Sequence, residues 1–288
     1  MKTLRETFGE ARAGQYAIGH FNVSDSNQLK ALAGAVRETG LPVVVGLSEG
    51  ERDFFPMRHA RAIVDCYRAE GLPMFLNADH TYSLEKAKAA IDAGVDSIVV
   101  DGAALPLADN IALVQLVVAY ARACGRDVLV EGELGYIGKS SEITDTLPEG
   151  ASVTEEMMTK PEELVAFVTA TGVDAMAPAV GNVHGMVKSG NPKLSMKRIA
   201  ALAAVSTVPL VLHGGSGSSD EEFAAAARTG ISMVHINTEF RLTYRTGIEH
   251  GLQSHPNEVA PYKFLTPAVE DMIRYISQKI RLFGGVGA

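Results

Sequence analysis

The stretch Val211-Leu-His213-Gly-Gly-Ser216-Gly-Ser218 joins an apolar run, a histidine and a glycine-rich turn. The same design returns at Gly181-Asn-Val-His184-Gly185, at Asn77-Ala-Asp79-His80 and at Met233-Val-His235-Ile-Asn237-Thr238. A buried strand that ends in this way carries a ligand-type side chain to its tip and then opens into a turn with exposed backbone groups. We therefore expect histidines from four distant pieces of chain to meet at strand ends, in a metal site or an acid/base site.

A second pattern sets the fold, and consists of an amphipathic helix, a glycine and a continuous apolar run. Glycine just past a helix caps the last carbonyls, and continuous apolar runs are typical of parallel strands buried on both faces. With the runs at 15–22 and 209–213, the pattern gives eight strand–helix units. This favours a (β/α)8 TIM barrel of the α/β class, in one domain over residues 1–288. A doubly wound open sheet is the alternative, but its outer strand ends would lie far apart. The glycines of the repeated pattern are Gly40, Gly71, Gly94, Gly125, Gly172 and Gly230.

Composition restricts the class of partner. The formal net charge is −8, so the chain offers no basic face for nucleic acid or an anionic membrane. Cys66 and Cys124 form no motif, which is typical of a reducing compartment. The first residues lack the apolar core of a signal peptide, and no apolar run reaches about 18 residues. We expect a cytoplasmic protein.

Residues 136–159 interrupt the strand–helix rhythm. They are polar, lack periodicity and exceed the usual length of such a connection, which predicts a mobile loop over the active face. Capping boxes at Ser219 to Glu222 and at Thr159 to Glu162 predict two helix starts.

The strand ends carry the residue types of a catalytic metal site. A single histidine at a strand end is often a hydrogen-bonded structural residue, but His80, His184 and His213 together match the three imidazoles of many catalytic Zn²⁺ sites. Asp79 suits proton transfer to a hydroxyl. In a regular strand it would point away from His80, so both reach one site only if the strand unwinds there. The alternative for Asp79 is an N-cap of the helix near Ser83.

A phosphate site is expected beside these histidines. Gly185 and the turn from Gly214 to Gly217 expose backbone N–H groups next to helix starts, and Asn237 and Thr238 add side-chain donors. The loops after the seventh and eighth strands commonly bind phosphate in barrels of this kind.

These motifs resemble those of the class II, metal-dependent ketose-bisphosphate aldolases, whose best-known members are the fructose-bisphosphate aldolases. The resemblance runs nearly end to end. Its most specific pieces are Ala78-Asp79-His80, Glu131-Gly-Glu133-Leu-Gly135, Gly181-Asn-Val-His-Gly185 and Leu212-His-Gly-Gly-Ser-Gly217.

The resemblance implies a role for each matching residue. The metal would be Zn²⁺ or another divalent ion, with Na⁺ or K⁺ as a possible second cation bound by backbone carbonyls. The implied metal ligands are His80, His184, His213 and Glu133, and the implied proton carriers are Asp79 at the C4 oxygen and Glu142 in the loop. The substrate and phosphate residues would be Asn22, Ser48, Gly185, Lys188, Gly214, Ser216, His235, Asn237 and Thr238. The monovalent cation would lie on the carbonyls of Val183, Gly185 and Gly214.

The implied reaction is reversible cleavage of a ketose bisphosphate, most directly fructose 1,6-bisphosphate, to dihydroxyacetone phosphate and glyceraldehyde 3-phosphate through a Zn²⁺-stabilised enediolate. Tagatose bisphosphate, a deoxy-keto-gluconate phosphate, a metal-dependent phosphosugar epimerase and a non-catalytic phosphosugar-binding barrel are the alternatives. A Schiff-base aldolase needs a lysine within a strand, and none of the predicted strands contains one. The expected assembly is a homodimer or homotetramer.

Two positions depart from the family pattern. The loop carries Ser140-Ser141-Glu142 where members have an acidic pair, and His235 stands where many have asparagine. We expect His235 to donate a hydrogen bond to the bound ketose, with an affinity that titrates near pH ~6.5. A packed histidine near the rim and a fourth metal ligand are the other interpretations. Arg52 is a candidate for a distal phosphate or a merely solvated side chain.

Overall fold

The computed structural model describes residues 1–138 and 142–285, and residues 139–141 and 286–288 lie outside it. Its strands are β1 Ile18–Asn22, β2 Val43–Leu47, β3 Met74–Thr81, β4 Ser97–Val100, β5 Leu129–Leu134, β6 Ile143–Thr144, β7 Ala175–Pro178, β8 Met186–Val187, β9 Leu210–Leu212 and β10 Ile231–Ile236. Its helices are α1 Leu4–Gly14, α2 Ser26–Thr39, α3 Glu49–Phe54, α4 Met57–Ala69, α5 Leu84–Asp92, α6 Leu107–Ala123, α7 Pro161–Thr171, α8 Met196–Val205, α9 Asp220–Thr229, α10 Thr238–Ser254, α11 Pro261–Phe264 and α12 Thr266–Phe283.

The predicted barrel is confirmed. Within the described residues, eight parallel strands close in the order β1-β10-β9-β7-β5-β4-β3-β2. The first strand pairs with both β2 and β10, so the sheet has no outer edge and the open-sheet alternative is wrong. Closure brings the carboxyl ends of all the barrel strands to one rim, where side chains from distant parts of the chain can meet.

The inside of the barrel changes from apolar to polar toward that rim. Side chains two residues apart on a strand point the same way. The side chains of Ile18, His20 and Asn22 in β1 therefore point the same way, into the barrel, and so do those of Met233 and His235 in β10. In each strand the apolar residue comes first and lies farther from the rim. The lower, apolar half is closed by Leu4 and Phe8 of α1, and it consists of Ile18, Val44, Phe75, Leu129, Ala175, Ala177, Val211 and Met233 together with these helix residues and Ala11. The polar half above it is the floor of the candidate site.

Local signals set the helix boundaries. Gly40 and Gly172 take left-handed backbone angles at the C-caps of α2 and α7, as predicted. The capping box that begins at Ser219 is confirmed. The box predicted from Thr159 is wrong by one residue, because Lys160 is the N-cap of α7. The Thr159 hydroxyl donates instead to the carbonyl of Leu134.

None of the helices in the described ranges is both long enough and apolar enough to cross a membrane.

The loop that was predicted to be mobile contains a short strand pair. Strand β6 lies parallel to β8 and joins residues 143–144 to residues 186–187, close in sequence to His184.

Candidate active site

Strand β3 unwinds at its end, and this allows Asp79 and His80 to face the same site. His80 has a φ of 34°, in the left-handed region that non-glycine residues rarely occupy. The pairing of β3 with β4 shifts register between Ala78 and Thr81. The N-cap alternative for Asp79 is wrong, because the hydroxyl of Ser83 itself accepts the amide of Lys86 at the start of α5.

A group of possible metal ligands forms at the rim. His80, Glu133, His184 and His213 each offer one ligand atom, and these atoms all lie within 4.8 Å of one another. His184 is not at a strand end as predicted, since β7 stops at Pro178 and the histidine lies in the loop that follows. Asn182 in that loop donates to the carbonyl of His213 over 2.9 Å, which ties the loop to the end of β9.

Carboxylates contact the rings of His80 and His213, and of these Asp101 and Glu131 lie outside the metal-type group whereas Glu133 belongs to it. Asp101 lies 2.9 Å from Nδ1 of His80. Glu131 lies 2.7 Å from Nε2 of His213, and Glu133 lies 3.0 Å from Nδ1 of the same ring. Metal-binding histidines usually have such a partner, which fixes the orientation and tautomer of the ring.

Burial and neighbouring charges shift the pKa values of His80 and His184 in opposite directions. Burial disfavours the charged form of His80, but Asp79, Asp101 and Glu133 outweigh it and raise the pKa of His80 to about 9. Burial and the neighbouring cationic rings lower the pKa of His184 to about 3. The His184 ring is therefore neutral, and its buried Nε2 has no hydrogen-bond partner among the described residues. A neutral imidazole with an unused nitrogen is the form that binds a metal ion.

Asp79 is buried beside the metal-type group and is held by Asn22. Asn22 Nδ2 donates to Asp79 Oδ2 over 2.9 Å and to Glu51 over 2.8 Å. Asp79 Oδ1 lies 3.4 Å from His235 Nδ1 and 3.8 Å from His80 Nε2. Although burial favours the protonated carboxyl, these imidazoles keep the pKa of Asp79 well below its ordinary value. Asp79 is therefore a carboxylate that can accept a proton.

His235 lies in β10 and lines the pocket, with its ring between two other imidazoles. It stacks on His20 with 3.5 Å between ring centroids and on His213 with 4.1 Å. Burial and the two neighbouring rings lower the pKa of His235 well below its ordinary value. The expected titration near pH ~6.5 is therefore wrong, because the ring is already neutral there. Its buried Nε2 has no partner in the part of the chain that the structure describes, which leaves a hydrogen-bonding atom for a ligand.

Most of the predicted substrate and phosphate residues line the same narrow pocket. The 17-residue helix α10 begins at Thr238, so its positive end faces the pocket and favours an anion. Thr238 Oγ1 is buried and has no partner among the described residues. Gly214 has a φ of 59°, and a side chain there would collide with the carbonyl of Val183. The pocket is lined by Asn22, Asp79, His80, His184, Gly185, Gly214, Ser216, His235, Asn237 and Thr238.

Three predicted residues lie elsewhere. The hydroxyl of Ser48 donates to Glu51 over 2.9 Å, in the capping box of α3, and Ser48 is not among the residues that line the pocket. Lys188 is exposed and pairs with Asp145 over 2.9 Å. Glu142 has an exposed side chain, and its carbonyl accepts the amide of Met186. Ser140 and Ser141, the other residues of the expected departure, lie outside the described residues.

Two further predictions concern backbone groups and Arg52. The carbonyl of Gly185, one of the three expected cation ligands, accepts a hydrogen bond from Asn191 over 3.1 Å. The cation site stays a prediction. Arg52 is not a solvated surface residue, because its guanidinium donates to the carbonyls of Leu47 and Asp79 over 2.7 and 2.9 Å. It joins the ends of β2 and β3, and both contacts would have to break for Arg52 to reach a distal phosphate.

Some residues that shape the site were given no role in advance. The sequence places Asp101 and Glu131 at strand ends, and that position could have indicated a role beside the histidines. His20 also ends a strand, but its stacking on His235 follows from the pairing of β1 with β10, which places the two residues side by side. The predicted closure of the barrel implies that pairing, but not the stacking of the two rings.

The comparisons with known proteins agree with this geometry. The family model for fructose-bisphosphate aldolase class II matches residues 2–288. A fructose-bisphosphate aldolase of Geobacillus stearothermophilus is 33% identical over 291 residues, which cover 99% of this chain and 97% of that protein. The crystal structure of the YdjI aldolase from Escherichia coli K12 superposes with a TM-score of 0.83 at 26% identity, over 99% of this chain and 97% of that chain. A fructose-bisphosphate aldolase structure from Campylobacter jejuni, at 20% identity and a TM-score of 0.80 over 98% of this chain and 94% of that one, shows the same fold.

Proposed function

The chain belongs to the class II fructose-bisphosphate aldolases, a family of metal-dependent lyases, and on that premise we propose the reaction that it catalyses. The reaction is the reversible cleavage of fructose 1,6-bisphosphate to dihydroxyacetone phosphate and glyceraldehyde 3-phosphate. The observation that carries the proposal is one pocket that combines a metal-type donor group, a buried carboxylate and the N-terminus of a long helix.

The donor set fits a divalent metal, and Zn²⁺ is the ion that we propose. Three imidazoles and one carboxylate are ligands that Zn²⁺ prefers, and the unpartnered Nε2 of His184 is a buried atom for which a metal would supply a partner. His80, Glu133, His184 and His213 would hold the ion. When bound, the ion would supply Lewis-acid chemistry at the C2 carbonyl oxygen of the ketose.

The phosphate on C1 would bind where α10 begins. The hydroxyls of Ser216 and Thr238 and the positive helix end would hold it, and the turn at Gly214 lets the backbone approach closely. Asn237 would add a side-chain contact. This end of the pocket would fix the ketose so that its carbon chain passes Asp79.

Asp79 would begin the cleavage by accepting the proton of the C4 hydroxyl. The electron pair of that O–H bond would form the aldehyde carbonyl as the C3–C4 bond breaks, the pair of the broken bond would stay on the C2–C3 fragment as an enediolate, and glyceraldehyde 3-phosphate would leave. C3 of the remaining triose phosphate would then take a proton, for which Glu142 of the loop is the candidate carrier. Asn22 would hold Asp79 in place, and His235 Nε2 would hydrogen-bond the ketose.

A substrate panel tests the proposal. Protein loaded with Zn²⁺ would be offered fructose and tagatose 1,6-bisphosphates and the corresponding monophosphates, with detection of triose phosphate. We expect triose phosphates from a bisphosphate, and loss of their formation after chelation. Conversion to an isomeric ketose would indicate the epimerase instead, and absence of turnover in metal-loaded protein would favour a binding protein.

The family match makes the epimerase the weaker candidate. Both reactions need a second acid besides Asp79, the one carboxylate among the described residues that line the pocket, whereas the family model and the relatives are those of fructose-bisphosphate aldolases. The monovalent cation, the homodimer or homotetramer and the cytoplasmic location remain predictions.

A further inference from the structure

The peptide group that joins Ser216 to Gly217 is held at both of its polar atoms. The Ser216 carbonyl accepts a hydrogen bond from Asn191 Nδ2 over 2.7 Å. The Gly217 amide donates to Glu239 Oε1 over 2.7 Å. The carboxamide of Asn191 also occupies the space of any side chain at Gly217, since its Cγ lies 2.8 Å from an added Cβ. The peptide plane cannot turn without the loss of both bonds.

These hydrogen bonds determine which polar groups of the turn at residues 214–217 can still bind a ligand. The Gly217 amide is already used by Glu239. Ser216 Oγ accepts the backbone amide of Glu239 over 3.4 Å, so its hydroxyl hydrogen is left to point elsewhere. Because Ser216 lines the pocket, that hydrogen is available to an anion.

Two residues of helix α12 contact the carboxylate of Glu239. The Tyr275 hydroxyl donates to Glu239 Oε2 over 2.6 Å. Lys279 Nζ lies 3.7 Å from the same oxygen and 2.8 Å from Asp220 Oδ1. The ammonium also lies 5.0 Å from the centre of the Phe223 ring. The side chains of Lys279 and Glu239 are only 10% and 18% exposed, so water screens their attraction weakly, whereas Asp220 is 45% exposed and its charge is screened more.

We propose that Asn191, Glu239, Tyr275 and Lys279 form a clamp that fixes the Ser216–Gly217 peptide, and with it the Ser216 hydroxyl, for an oxyanion before the ligand arrives. These are positioning residues, which act on the phosphate through the turn. The inference rests on the proposed function in that it takes the phosphate end of the triose phosphate as the ligand. A preset turn binds an anion more tightly because binding then orders no additional backbone.

Tyr275→Phe tests the clamp, with Tyr244→Phe as a matched control. Both tyrosines donate to a carboxylate, Tyr244 to Asp25 Oδ2 over 2.7 Å, but Asp25 caps α2 and does not touch the turn. Titration calorimetry would measure the affinity of each metal-loaded protein for dihydroxyacetone phosphate. We expect an affinity about tenfold lower for Tyr275→Phe, on the scale of one hydrogen bond to a charged group, and no change for Tyr244→Phe. Zn²⁺ content should be equal in all the proteins.

Substitutions at Lys279 provide a second, independent test of the clamp. Lys279→Met should weaken the binding of both dihydroxyacetone phosphate and inorganic phosphate, while Lys279→Arg, which keeps the charge, should recover most of it. In turnover, KM for the ketose bisphosphate should rise more than kcat falls, because the clamp acts on the phosphate and not on the broken bond.

The outcomes separate the clamp from the proposed function. Wild-type affinity in Tyr275→Phe, or an equal loss in Tyr244→Phe, would overturn the clamp alone. A loss of Zn²⁺ or a common fall in thermal midpoint that accounts for the weaker binding would also overturn it. Wild-type protein that binds neither dihydroxyacetone phosphate nor inorganic phosphate would overturn the proposed function itself.

Discussion

Gly46→Ala should reveal how tightly the imidazoles under the site are packed. Gly46 lies in β2 beside His20, and an added Cβ would overlap Cε1 and Nε2 of the ring and lie 3.2 Å from Nδ1. The ring cannot retreat, because its centroid is 3.5 Å from that of His235. It would have to leave the hydrogen bond to Asn77, which spans 3.2 Å.

The expected cost follows from these two effects. Overpacking of a well-packed interior costs about 1–3 kcal/mol, and loss of a buried hydrogen bond adds about 0.5–1.5 kcal/mol. The free energy of unfolding of Gly46→Ala should therefore fall by about 1.5–4.5 kcal/mol. In a His20→Ala background the same substitution should cost nothing, because the ring is gone. It should even stabilise by about 0.4–1 kcal/mol, since Gly46 does not have a left-handed φ and alanine restricts the unfolded chain.

Urea unfolding of the four proteins in this cycle measures the coupling. The chain has no tryptophan, so far-ultraviolet circular dichroism and the fluorescence of its 8 tyrosines would follow the transition. Cleavage should also slow in Gly46→Ala, because a displaced His235 would change its 3.4 Å contact with Asp79. An equal cost of Gly46→Ala with and without His20 would refute the packing argument.

Four other outcomes follow from the site. A chelator should abolish cleavage and Zn²⁺ should restore it, and full activity without metal would exclude the Lewis-acid role. Asp79→Ala should keep its metal but lose cleavage by ~10²–10⁴, with a smaller effect on exchange of the C3 proton of dihydroxyacetone phosphate; equal loss of both would indicate a structural role. Glu142→Gln should slow that exchange, and a wild-type rate would mean that another group carries the proton. His235→Asn should weaken ketose binding without change in Zn²⁺ content, and the pH dependence of the affinity near pH ~6.5 should be the same in both proteins, because burial lowers the pKa of His235 well below its ordinary value; a difference between the two profiles would mean that His235 titrates there.

The fold could be predicted because each of its signals is local. A glycine such as Gly40 or Gly172 ends a helix through its own backbone angles, and the apolar run that follows is buried on both faces wherever the strand lies. Repetition of these local signals over the whole chain leaves few architectures. The N-cap at Lys160 was missed because the Thr159 hydroxyl donates to the carbonyl of Leu134, which is distant in sequence. The local sequence pattern does not show that such a partner exists.

The site was only partly predictable, for a related reason. A histidine or an aspartate at the end of an apolar run is unusual, and this position indicated His80, His213 and Asp79 as site residues. Whether Asp79 and His80 share a site depended on the left-handed turn at His80, which no residue type in the stretch requires. The sequence also did not show that His184 lies in a loop beyond its strand. The path of that loop depends on contacts with distant residues, such as the hydrogen bond from Asn182 to the His213 carbonyl.

The residues that hold the site in place were the least visible, and the structure explains why. A residue that touches a ligand must have a particular chemistry and must stand at the rim, so both its type and its position carry a signal. A residue that supports it needs only one hydrogen bond of ordinary chemistry and can come from any element. Tyr275 reaches Glu239 across 36 residues of sequence, and Glu131 reaches His213 across 82. Tyr275 lies on α12, which no local pattern brings to the rim, and Glu131 stands at a strand end without any signal of which histidine it holds. Substitutions far from the pocket in sequence, on α12 above all, should therefore change ligand affinity as strongly as many substitutions within it.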